Sequence, residues 1–360
     1  MKILFLIDNL GSGGAQRQLV TIVPLLKQRG FEPEVLCYWE QDFFAPILEK
    51  ENITIHWKIE PNFIKRIWKV RQFIRNGNFK AVISFLDTPN FLNCIAAIGG
   101  KKWKVITGER SANEAFFHSQ RGKFFAWFQR YSDVIVCNSH NAEIMWKKHY
   151  PKYSNKLTTI YNTVSIDAPK IRYSPLRDGK VHIVIAATYR YIKNVKGLIK
   201  SLSLLSSHEK AILKVDWYGR IVRENGISVF EAANKMILEN SLQDVISLNE
   251  NTKEIVSKMA ESDFIGLFSK YEGLPNAICE GMILGKPIIM TRVSDFNKLV
   301  DSSNGFLCDW DNMESIKEAI ASALKLTQEI LGLMGEASRI KSNKLFSSKI
   351  LIKKWEDIIN

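Results

Sequence analysis

The feature that most constrains the fold is an alternation of short apolar runs with amphipathic segments of helical period, which occurs twice along the chain. The first series opens with an apolar run at residues 2–7, a glycine-rich loop at 9–14 and a helical pattern at 15–29, which Gly30 is placed to end. Strands that alternate with helices form parallel sheets covered on both faces. The sequence therefore predicts an α/β fold of two doubly wound, Rossmann-like domains facing a central cleft.

The same patterns predict the other elements and the domain limits. Ser139 is placed to cap a helix that follows a strand, and residues 162–180 lack clear periodicity, as expected of a linker. The predicted domains are residues 1–165 and 175–340, with a C-terminal helix at 341–360 that could pack back on the first domain. The further predicted strands are 34–39, 81–86, 104–107, 133–138, 157–161, 182–187, 214–218, 245–248, 264–268 and 287–291, and the helices of the second series are 196–205, 229–238, 252–260, 276–284 and 314–326.

Composition excludes several classes of protein. The longest apolar stretch, residues 81–100, is interrupted by polar residues and proline, and the N-terminal apolar run is too short for a signal peptide. We therefore expect a cytoplasmic protein. The histidines are scattered without metal-ligand spacing, so no metal is expected. Five scattered cysteines suggest buried free thiols in a reducing compartment: Cys37, Cys94, Cys137, Cys279 and Cys308.

The charge balance points to anionic partners. The chain has 50 basic and 37 acidic residues, a net charge of +13. Such a balance suits nucleic acid, phospholipid headgroups or phosphorylated substrates, and it does not choose among them.

The loop before the first predicted helix is a candidate phosphate site. Gly13 and Gly14 would expose backbone N–H groups at a helix N-terminus, which attracts anions. Gln16 occupies the third glycine position of the dinucleotide fingerprint, so that motif is incomplete. The structural alternative is a tight turn that needs a positive φ at Gly13 or Gly14.

Two glutamates eight residues apart form the second candidate site. Glu272 follows a predicted strand, and Glu280 lies one turn into the next helix among apolar residues. A carboxylate in such surroundings needs a partner or a ligand. The vicinal hydroxyls of a sugar are suitable ligands, and a salt bridge to a nearby lysine is the structural alternative.

These glutamates carry a family resemblance. E-x7-E lies within E-G-L-P and is followed by Gly285-Lys286-Pro287-Ile288-Ile289. The block resembles the retaining glycosyltransferases of family four, which have the GT-B fold, in particular those of bacterial surface-polysaccharide synthesis. Weaker matches follow the family order: residues 13–17 resemble G-G-A-E-R, residues 132–139 resemble A-D-x-(I/V)-(I/V)-x-x-S, and 193–194 resemble a basic motif.

The resemblance implies a role for each matched residue. Glu280 would hold the ribose of a nucleotide-sugar, and Glu272 would contact the donor sugar. Arg190 and Lys193 would bind the donor diphosphate without a metal. The first domain would take the acceptor and the second the donor. The implied donor-binding set is Gly13, Gly14, Lys196, Gly273, Leu274, Asn276 and Glu280.

The chain also departs from the family pattern. Thr188 occupies the usual arginine position, which displaces Arg190 by two residues and makes Lys196 a rival of Lys193. Arg110, preceded by Glu109, occupies the position where many members have a histidine. In a retaining reaction the leaving phosphate itself can take the acceptor proton, so no protein base is needed. The predicted catalytic set is Arg190, Lys193, Glu272, Glu109 and Arg110.

Two basic, aromatic segments, residues 63–75 and 116–130, suggest an anionic membrane surface. The structural alternative is a pair of core-facing helices with solvated basic faces. The membrane interpretation implies a peripheral enzyme at the inner leaflet of the membrane. Its acceptor would be a polyprenyl-diphosphate-linked saccharide or a lipopolysaccharide core. The predicted membrane or acceptor residues are Lys65, Arg66, Trp68, Lys69, Arg71, Arg121, Lys123 and Trp127.

The resemblance thus implies a hexosyltransferase that uses a nucleotide-sugar, with a UDP-sugar favoured, to build cell-surface polysaccharide. A sugar-nucleotide epimerase of the same fold is the main alternative. A nucleic-acid-binding protein would explain the charge, but no recognition motif is present and nucleic acid is not expected as a partner. A nicotinamide-dependent enzyme would explain the first glycine loop but not E-x7-E.

Overall fold

The computed structural model describes residues 1–110, 114–164 and 179–360. The chain divides into two compact units: the first consists of Met1–Ser165 and Phe346–Asn360, and the second of Ile166–Leu345. Most of the predicted linker at 162–180 lies outside the described residues.

The first unit is built on a seven-stranded parallel sheet with the order β3-β2-β1-β4-β5-β6-β7. Its central strands β1 and β4 are buried except for the first residue of β1, as expected for a sheet covered by helices on both faces. The order reverses between β1 and β4. The strands are β1 (Lys2–Leu6), β2 (Glu32–Cys37), β3 (Thr54–Trp57), β4 (Ala81–Phe85), β5 (Lys104–Glu109), β6 (Val134–Cys137) and β7 (Leu157–Thr159).

In the described part of the first unit, seven helices connect these strands, and two predicted helix boundaries are confirmed. The Ser139 side chain accepts a hydrogen bond from the backbone N–H of Ala142, and Gly30 follows the first helix with φ +87°. The predicted segment 116–130 is two helices, because Ser119 caps the second of them. The helices are α1 (Gly14–Gln28), α2 (Ala45–Lys50), α3 (Phe63–Asn76), α4 (Asp87–Ala96), α5 (Glu114–His118), α6 (Gln120–Phe128) and α7 (His140–His149).

The second unit repeats the architecture with a six-stranded parallel sheet of order β12-β9-β8-β13-β14-β15 and a small antiparallel hairpin, β10-β11. The strands are β8 (Val181–Ala186), β9 (Leu213–Gly219), β10 (Arg223–Glu224), β11 (Ile227–Ser228), β12 (Ile246–Glu250), β13 (Phe264–Leu267), β14 (Ile288–Thr291) and β15 (Gly305–Cys308). The helices are α8 (Val195–Ser203), α9 (Ser207–Ala211), α10 (Val229–Glu239), α11 (Ile255–Glu261), α12 (Asn276–Ile283), α13 (Phe296–Leu299), α14 (Met313–Ala323) and α15 (Gln328–Phe346).

The last helix, α16 (Ser348–Ile359), belongs to the first unit. Trp355 is fully buried, and its ring centroid lies 6.0 Å from that of Phe85. Arg29 at the end of α1 forms an ion pair with Glu356, with 2.6 Å between Nε and Oε1. The chain therefore returns to the first unit after completing the second.

The two sheets confirm the predicted fold class of two doubly wound parallel-sheet domains. All five cysteines are buried and free. Among the described helices, none is both long and apolar enough to span a bilayer.

Candidate functional site

In doubly wound sheets, ligands bind beyond the carboxyl ends of the strands, at the point where the strand order reverses. Each unit has such a point: between β1 and β4 in the first sheet, and between β8 and β13 in the second. Nearly all of the predicted donor and catalytic residues lie in the loops or helix starts at these edges.

Lys193 and Glu272 bridge the reversal point of the second sheet. Lys193 lies in a 3-10 turn after β8, and Glu272 follows β13. Their Nζ and Oε1 atoms are 2.5 Å apart, and the Ser269 hydroxyl donates to the same Oε1 at 2.6 Å. Both side chains are less than one-fifth exposed. The structure therefore already holds a cation and a hydroxyl-bound carboxylate together at this point.

Arg190 is held by a different carboxylate, that of Glu224 on the β10-β11 hairpin. Arg190 Nε lies 2.8 Å from Glu224 Oε1, and the backbone N–H of Tyr191 donates to Oε2 at 2.9 Å. The hairpin turn places Asn225 and Gly226 at φ +52° and +80°, the two-residue geometry that asparagine and glycine favour. The predicted site residues do not include Glu224, although the Asn-Gly pair that follows it predicts a hairpin.

Lys196, the rival of Lys193, lies in the first turn of α8. Its Nζ is 5.4 Å from the centroid of the Tyr191 ring, and it forms no ion pair with a described residue. Asn194 precedes the helix in the left-handed conformation, with φ +62°. The geometry therefore offers two cations beside a helix N-terminus, one of them already paired.

The second glutamate of the motif lies on the buried face of α12. Glu280 is only 5% exposed, and α12 begins at Asn276 directly after Leu274 and Pro275. Gly273 precedes them, and its carbonyl accepts a hydrogen bond from the Ser294 hydroxyl. This fixes the backbone between the two glutamates. The loop and helix therefore present two carboxylates and a helix N-terminus at one edge of the sheet, which suits a ligand with hydroxyls and phosphates.

The glycine loop of the first unit does not need unusual backbone angles. Gly13 is the N-cap of α1 with φ −111°, and neither Gly13 nor Gly14 has a positive φ, so the positive-φ alternative is wrong. A Cβ on Gly13 would collide with the Gln16 side chain, whose Nε2 donates to Asp8 Oδ1 at 3.0 Å. The glycine leaves room for that contact, and no side chain caps the first turn of α1.

Glu109 and Arg110 end β5 in a desolvated network. Glu109 accepts hydrogen bonds from Asn90 Nδ2 and Gln129 Nε2, both at 3.2 Å. Burial, with a smaller contribution from the Asp87 carboxylate, raises the pKa of Glu109 to about 8. Burial lowers the pKa of Arg110 to about 10, and its guanidinium carbon lies 3.8 Å from the Phe85 ring centroid.

The structure gives several of the basic residues on α3 partners inside the first unit. Arg66 is only 5% exposed and stacks on aromatic rings, Lys69 pairs with Glu60 at 2.7 Å, and Arg71 donates to the carbonyls of Ile95, Ala96 and Ile98 at the end of α4. Their charges are therefore largely engaged. The predicted residues that remain exposed on α3 and α6 are Lys65, Trp68, Lys69, Arg121, Lys123 and Trp127, and Lys69 is the one that also pairs with Glu60.

Among the described residues, one group of three side chains has metal-ligating atoms close together: Glu114, His118 and His149. Glu114 Oε1 lies 2.9 Å from His149 Nε2 and 3.6 Å from His118 Nε2. The Lys148 ammonium is 3.3 Å from the same oxygen, where it would compete with a cation. The group belongs to α5 and α7 and not to either reversal point.

Comparison with known proteins identifies the family. A family model described as Glycosyltransferase Family 4 matches residues 12–168, and one described as Glycosyl transferases group 1 matches residues 168–341. The chain belongs to these glycosyltransferases. Together the matches cover most of both units, so this chain is a glycosyltransferase of the GT-B fold.

Two sequence relatives and one solved structure of the same fold are similar to this chain. An N-acetylgalactosamine-N,N'-diacetylbacillosaminyl-diphospho-undecaprenol 4-alpha-N-acetylgalactosaminyltransferase of Campylobacter jejuni is 24% identical over 90% of this glycosyltransferase and 90% of its own length. The amylovoran biosynthesis glycosyltransferase AmsD of Erwinia amylovora is 22% identical, covering 100% and 99%. The crystal structure of Anabaena HepE with UDP and glucose superposes with a TM-score of 0.84 at 17% identity, covering 99% and 98%.

Proposed function

We propose that this glycosyltransferase moves a sugar from a UDP-sugar to a saccharide carried on a polyprenyl diphosphate, in the synthesis of a cell-surface polysaccharide. The observation that carries the proposal is the meeting of Lys193 with Glu272, 2.5 Å apart at the reversal point of the second sheet, beside the helix that bears Glu280. A similar enzyme of Campylobacter jejuni acts on a diphospho-undecaprenol acceptor. Anabaena HepE, which shares the fold, binds UDP and glucose.

The chemistry of the second unit supports a donor role. A nucleotide-sugar presents ribose and sugar hydroxyls and a diphosphate. Carboxylates such as Glu280 and Glu272 accept hydrogen bonds from hydroxyls, and Lys193, Lys196 and Arg190 carry the charge that a diphosphate requires. As the diphosphate leaves, its negative charge grows, so these cations stabilise the transition state more than the ground state.

We further propose that the reaction retains the configuration of the donor sugar. The leaving phosphate oxygen would take the proton of the attacking hydroxyl on the same face, so no protein base would be required. Glu109 is compatible with this proposal, because the residue is only 7% exposed and its carboxyl group already accepts hydrogen bonds from Asn90 and Gln129.

The decisive experiment offers UDP-, GDP- and ADP-sugars with a lipid-linked acceptor saccharide and analyses the products by mass spectrometry and NMR. We expect transfer from a UDP-sugar and an axial product from an axial donor. Interconversion of the nucleotide-sugar without transfer would instead establish the epimerase. Inversion of configuration would refute retention alone.

The first unit would attach this glycosyltransferase to an anionic membrane. On α3, Ile64 and Trp68 are 77% and 62% exposed and flank Lys65, and on α6 Phe124 and Trp127 are 52% and 44% exposed. Exposed apolar groups beside cations suit the headgroup region of a bilayer. This surface keeps the predicted Lys65, Trp68, Lys123 and Trp127 and adds Ile64 and Phe124.

Sedimentation with vesicles tests the attachment. Wild type should sediment with vesicles that contain anionic lipid, and salt should weaken the binding. The double variant Ile64→Ser, Trp68→Ser should stay in solution, whereas Leu238→Ser, at an apolar residue of α10 that is 63% exposed, should behave as wild type. Equal sedimentation of the double variant would exclude α3 as the attachment surface.

A further inference from the structure

Three side chains that can bind a metal ion come together on the surface of the first unit, where α5 meets α7. Glu114 and His118 lie one helical turn apart on α5, and His149 lies in the last turn of α7. One ligand atom from each side chain lies within 4.8 Å of the other two. Glu114 and His149 are 35 positions apart in the chain, so the scattered histidines of the sequence give no sign of this group.

The separations between the ligand atoms suit a tetrahedral metal ion. Zn²⁺ binds imidazole nitrogen and carboxylate oxygen at about 2.0–2.2 Å, so two of its ligands lie about 3.3–3.6 Å apart. Glu114 Oε1 lies 2.9 Å from His149 Nε2 and 3.6 Å from His118 Nε2. Small rotations of the side chains would therefore bring the three atoms into the coordination shell of one ion.

Packing between α5 and α7 orients the His149 imidazole. Phe117 is only 4% exposed, and its ring is stacked on that of His149, with 4.7 Å between the centroids and 12° between the planes. The same phenylalanine packs edge-on against Trp146, at 5.5 Å. A side chain that is already oriented loses little conformational freedom when it binds a ligand. The stacking therefore favours binding at His149 Nε2.

The three ligands are accessible, and their types suit zinc. The side chains of Glu114 and His118 are 48% and 66% exposed, and that of His149 is 14% exposed. Imidazole and carboxylate together are a common ligand set for Zn²⁺, whereas Mg²⁺ and Ca²⁺ prefer oxygen ligands. Three protein ligands leave the fourth tetrahedral position to water. The group therefore favours Zn²⁺ over the alkaline-earth ions.

Lys148 carries the charge that opposes a cation at this place. Its ammonium lies 3.3 Å from Glu114 Oε1, and its side chain is 68% exposed. Exposed ion pairs contribute little to stability, so the lysine can turn into solvent when an ion binds. Lys148 therefore weakens the site without blocking it.

We propose that Glu114, His118 and His149 bind one Zn²⁺ ion, which ties α5 to α7. Because α5 is the next described element after β5, the ion holds in place the helix that follows the strand ending at Glu109. The site contains none of the predicted diphosphate cations, so sugar transfer does not require the ion. The proposal does not rest on the proposed function.

Calorimetric titration with zinc chloride tests the site, on the whole protein stripped of metal and carrying no histidine tag. We expect one Zn²⁺ per chain, and the five cysteines do not compete because they are buried. His118→Ala and Glu114→Gln should each weaken binding by about 10-fold or more, since the loss of even an outer hydrogen-bonding partner of a metal ligand costs about 10- to 100-fold. The matched control is His208→Ala, at an exposed histidine of α9 outside the group.

Lys148→Met should produce the opposite change. Affinity for Zn²⁺ should rise by about 5-fold, because a positive charge on the order of 4 Å from the ion is removed in an exposed setting. Absence of Zn²⁺ binding to wild type, or binding by His118→Ala and Glu114→Gln that equals that of His208→Ala, would overturn the site.

Hydrogen exchange tests whether the ion ties the two helices together. Zn²⁺ should slow the exchange of the backbone amides of α5 in wild type and in His208→Ala, and should not do so in Glu114→Gln. If Zn²⁺ binds to wild type but leaves exchange in α5 unchanged, the ion does not hold α5 against α7.

Discussion

The two units differ in how the charged groups at the carboxyl ends of their strands are held. In the second unit, cations and carboxylates pair directly, as Lys193 does with Glu272 and Arg190 with Glu224. In the first unit, the carboxylates Asp8, Asp87 and Glu109 are desolvated, and burial raises the pKa of each. Ion pairs whose cation can turn to a phosphate suit a charged diphosphate, whereas desolvated carboxyl groups suit neutral hydroxyls. The same architecture therefore holds its charged groups differently in the two units.

The largest effect should follow the loss of a diphosphate cation. Lys193→Ala should lower kcat about 100- to 1000-fold, because the charge that it neutralises grows in the transition state. Steady-state turnover measures this, with Lys200→Ala on the exposed end of α8 as the control. If Lys196→Ala is damaging and Lys193→Ala is silent, Lys196 is the diphosphate ligand and the pair with Glu272 is structural.

A smaller effect on binding should follow the loss of the buried carboxylate. Glu280→Gln should weaken nucleotide-sugar affinity by on the order of 1–3 kcal/mol, about 5- to 150-fold, since a carboxylate would no longer accept from the ribose hydroxyls. Calorimetric titration with UDP gives the affinity, and Glu239→Gln at an exposed position of α10 is the control. Unchanged affinity would remove Glu280 from the ribose role.

The desolvated edge of the first unit should reveal itself in the pH dependence of stability. The folded-state pKa of Glu109, about 8, is above its ordinary value, so the native state holds a proton that the unfolded state releases between about pH 4.5 and 8. The contribution of Glu109 to the free energy of unfolding therefore falls as pH rises through that window, by on the order of 1–3 kcal/mol.

Urea unfolding at pH 5.5 and at pH 8 tests this. Glu109→Gln should reduce the difference in unfolding free energy between the two pH values, whereas Glu51→Gln at an exposed position should leave it as in wild type. An unchanged difference in Glu109→Gln would show that this carboxyl is ionised in the folded state across the range.

The smallest effect is expected from metal chelation. EDTA should leave the transfer rate within about twofold of the untreated rate, because protein cations and helix N-termini would neutralise the diphosphate. The assay uses enzyme dialysed against EDTA, with manganese or magnesium added back. Loss of activity that either ion restores would mean that the cations of the second unit are insufficient on their own.

The sequence predicts the second unit's site more completely than the first, for a physical reason. Glu272 and Glu280 lie on one loop and the helix that follows it, so their relation is local and the spacing reveals it. In the first unit, by contrast, a cavity lined by residues that include Asp8, Trp39 and Asp87 joins the loops after three strands with two helices that are distant in the chain. In the sequence, Asp87 and Asn90 are only polar residues that interrupt the apolar stretch at 81–100. Their neighbours in space depend on the tertiary fold.

Prediction of the fold from the sequence is limited in the same way. Most strands were predicted from their apolar runs, and the edge strands β7 and β12 were among them. The edge strands β3 and β15 and the short hairpin were not, because Thr54 and His56 interrupt β3, β15 begins at a glycine and each hairpin strand has only two residues. Arg66 shows the limit for a single residue. Its position on a basic helix suggested that the side chain is exposed to solvent. Its burial is explained only by the rings of Tyr38 and Trp39, which follow the end of β2.

The most direct test of the donor role of the second unit is a kinetic experiment on Glu280→Gln, with the UDP-sugar and the acceptor varied in turn. We predict that Glu280→Gln raises KM for the donor and leaves KM for the acceptor unchanged. If Glu280→Gln instead raises KM for the acceptor and leaves KM for the donor unchanged, the second unit does not hold the donor.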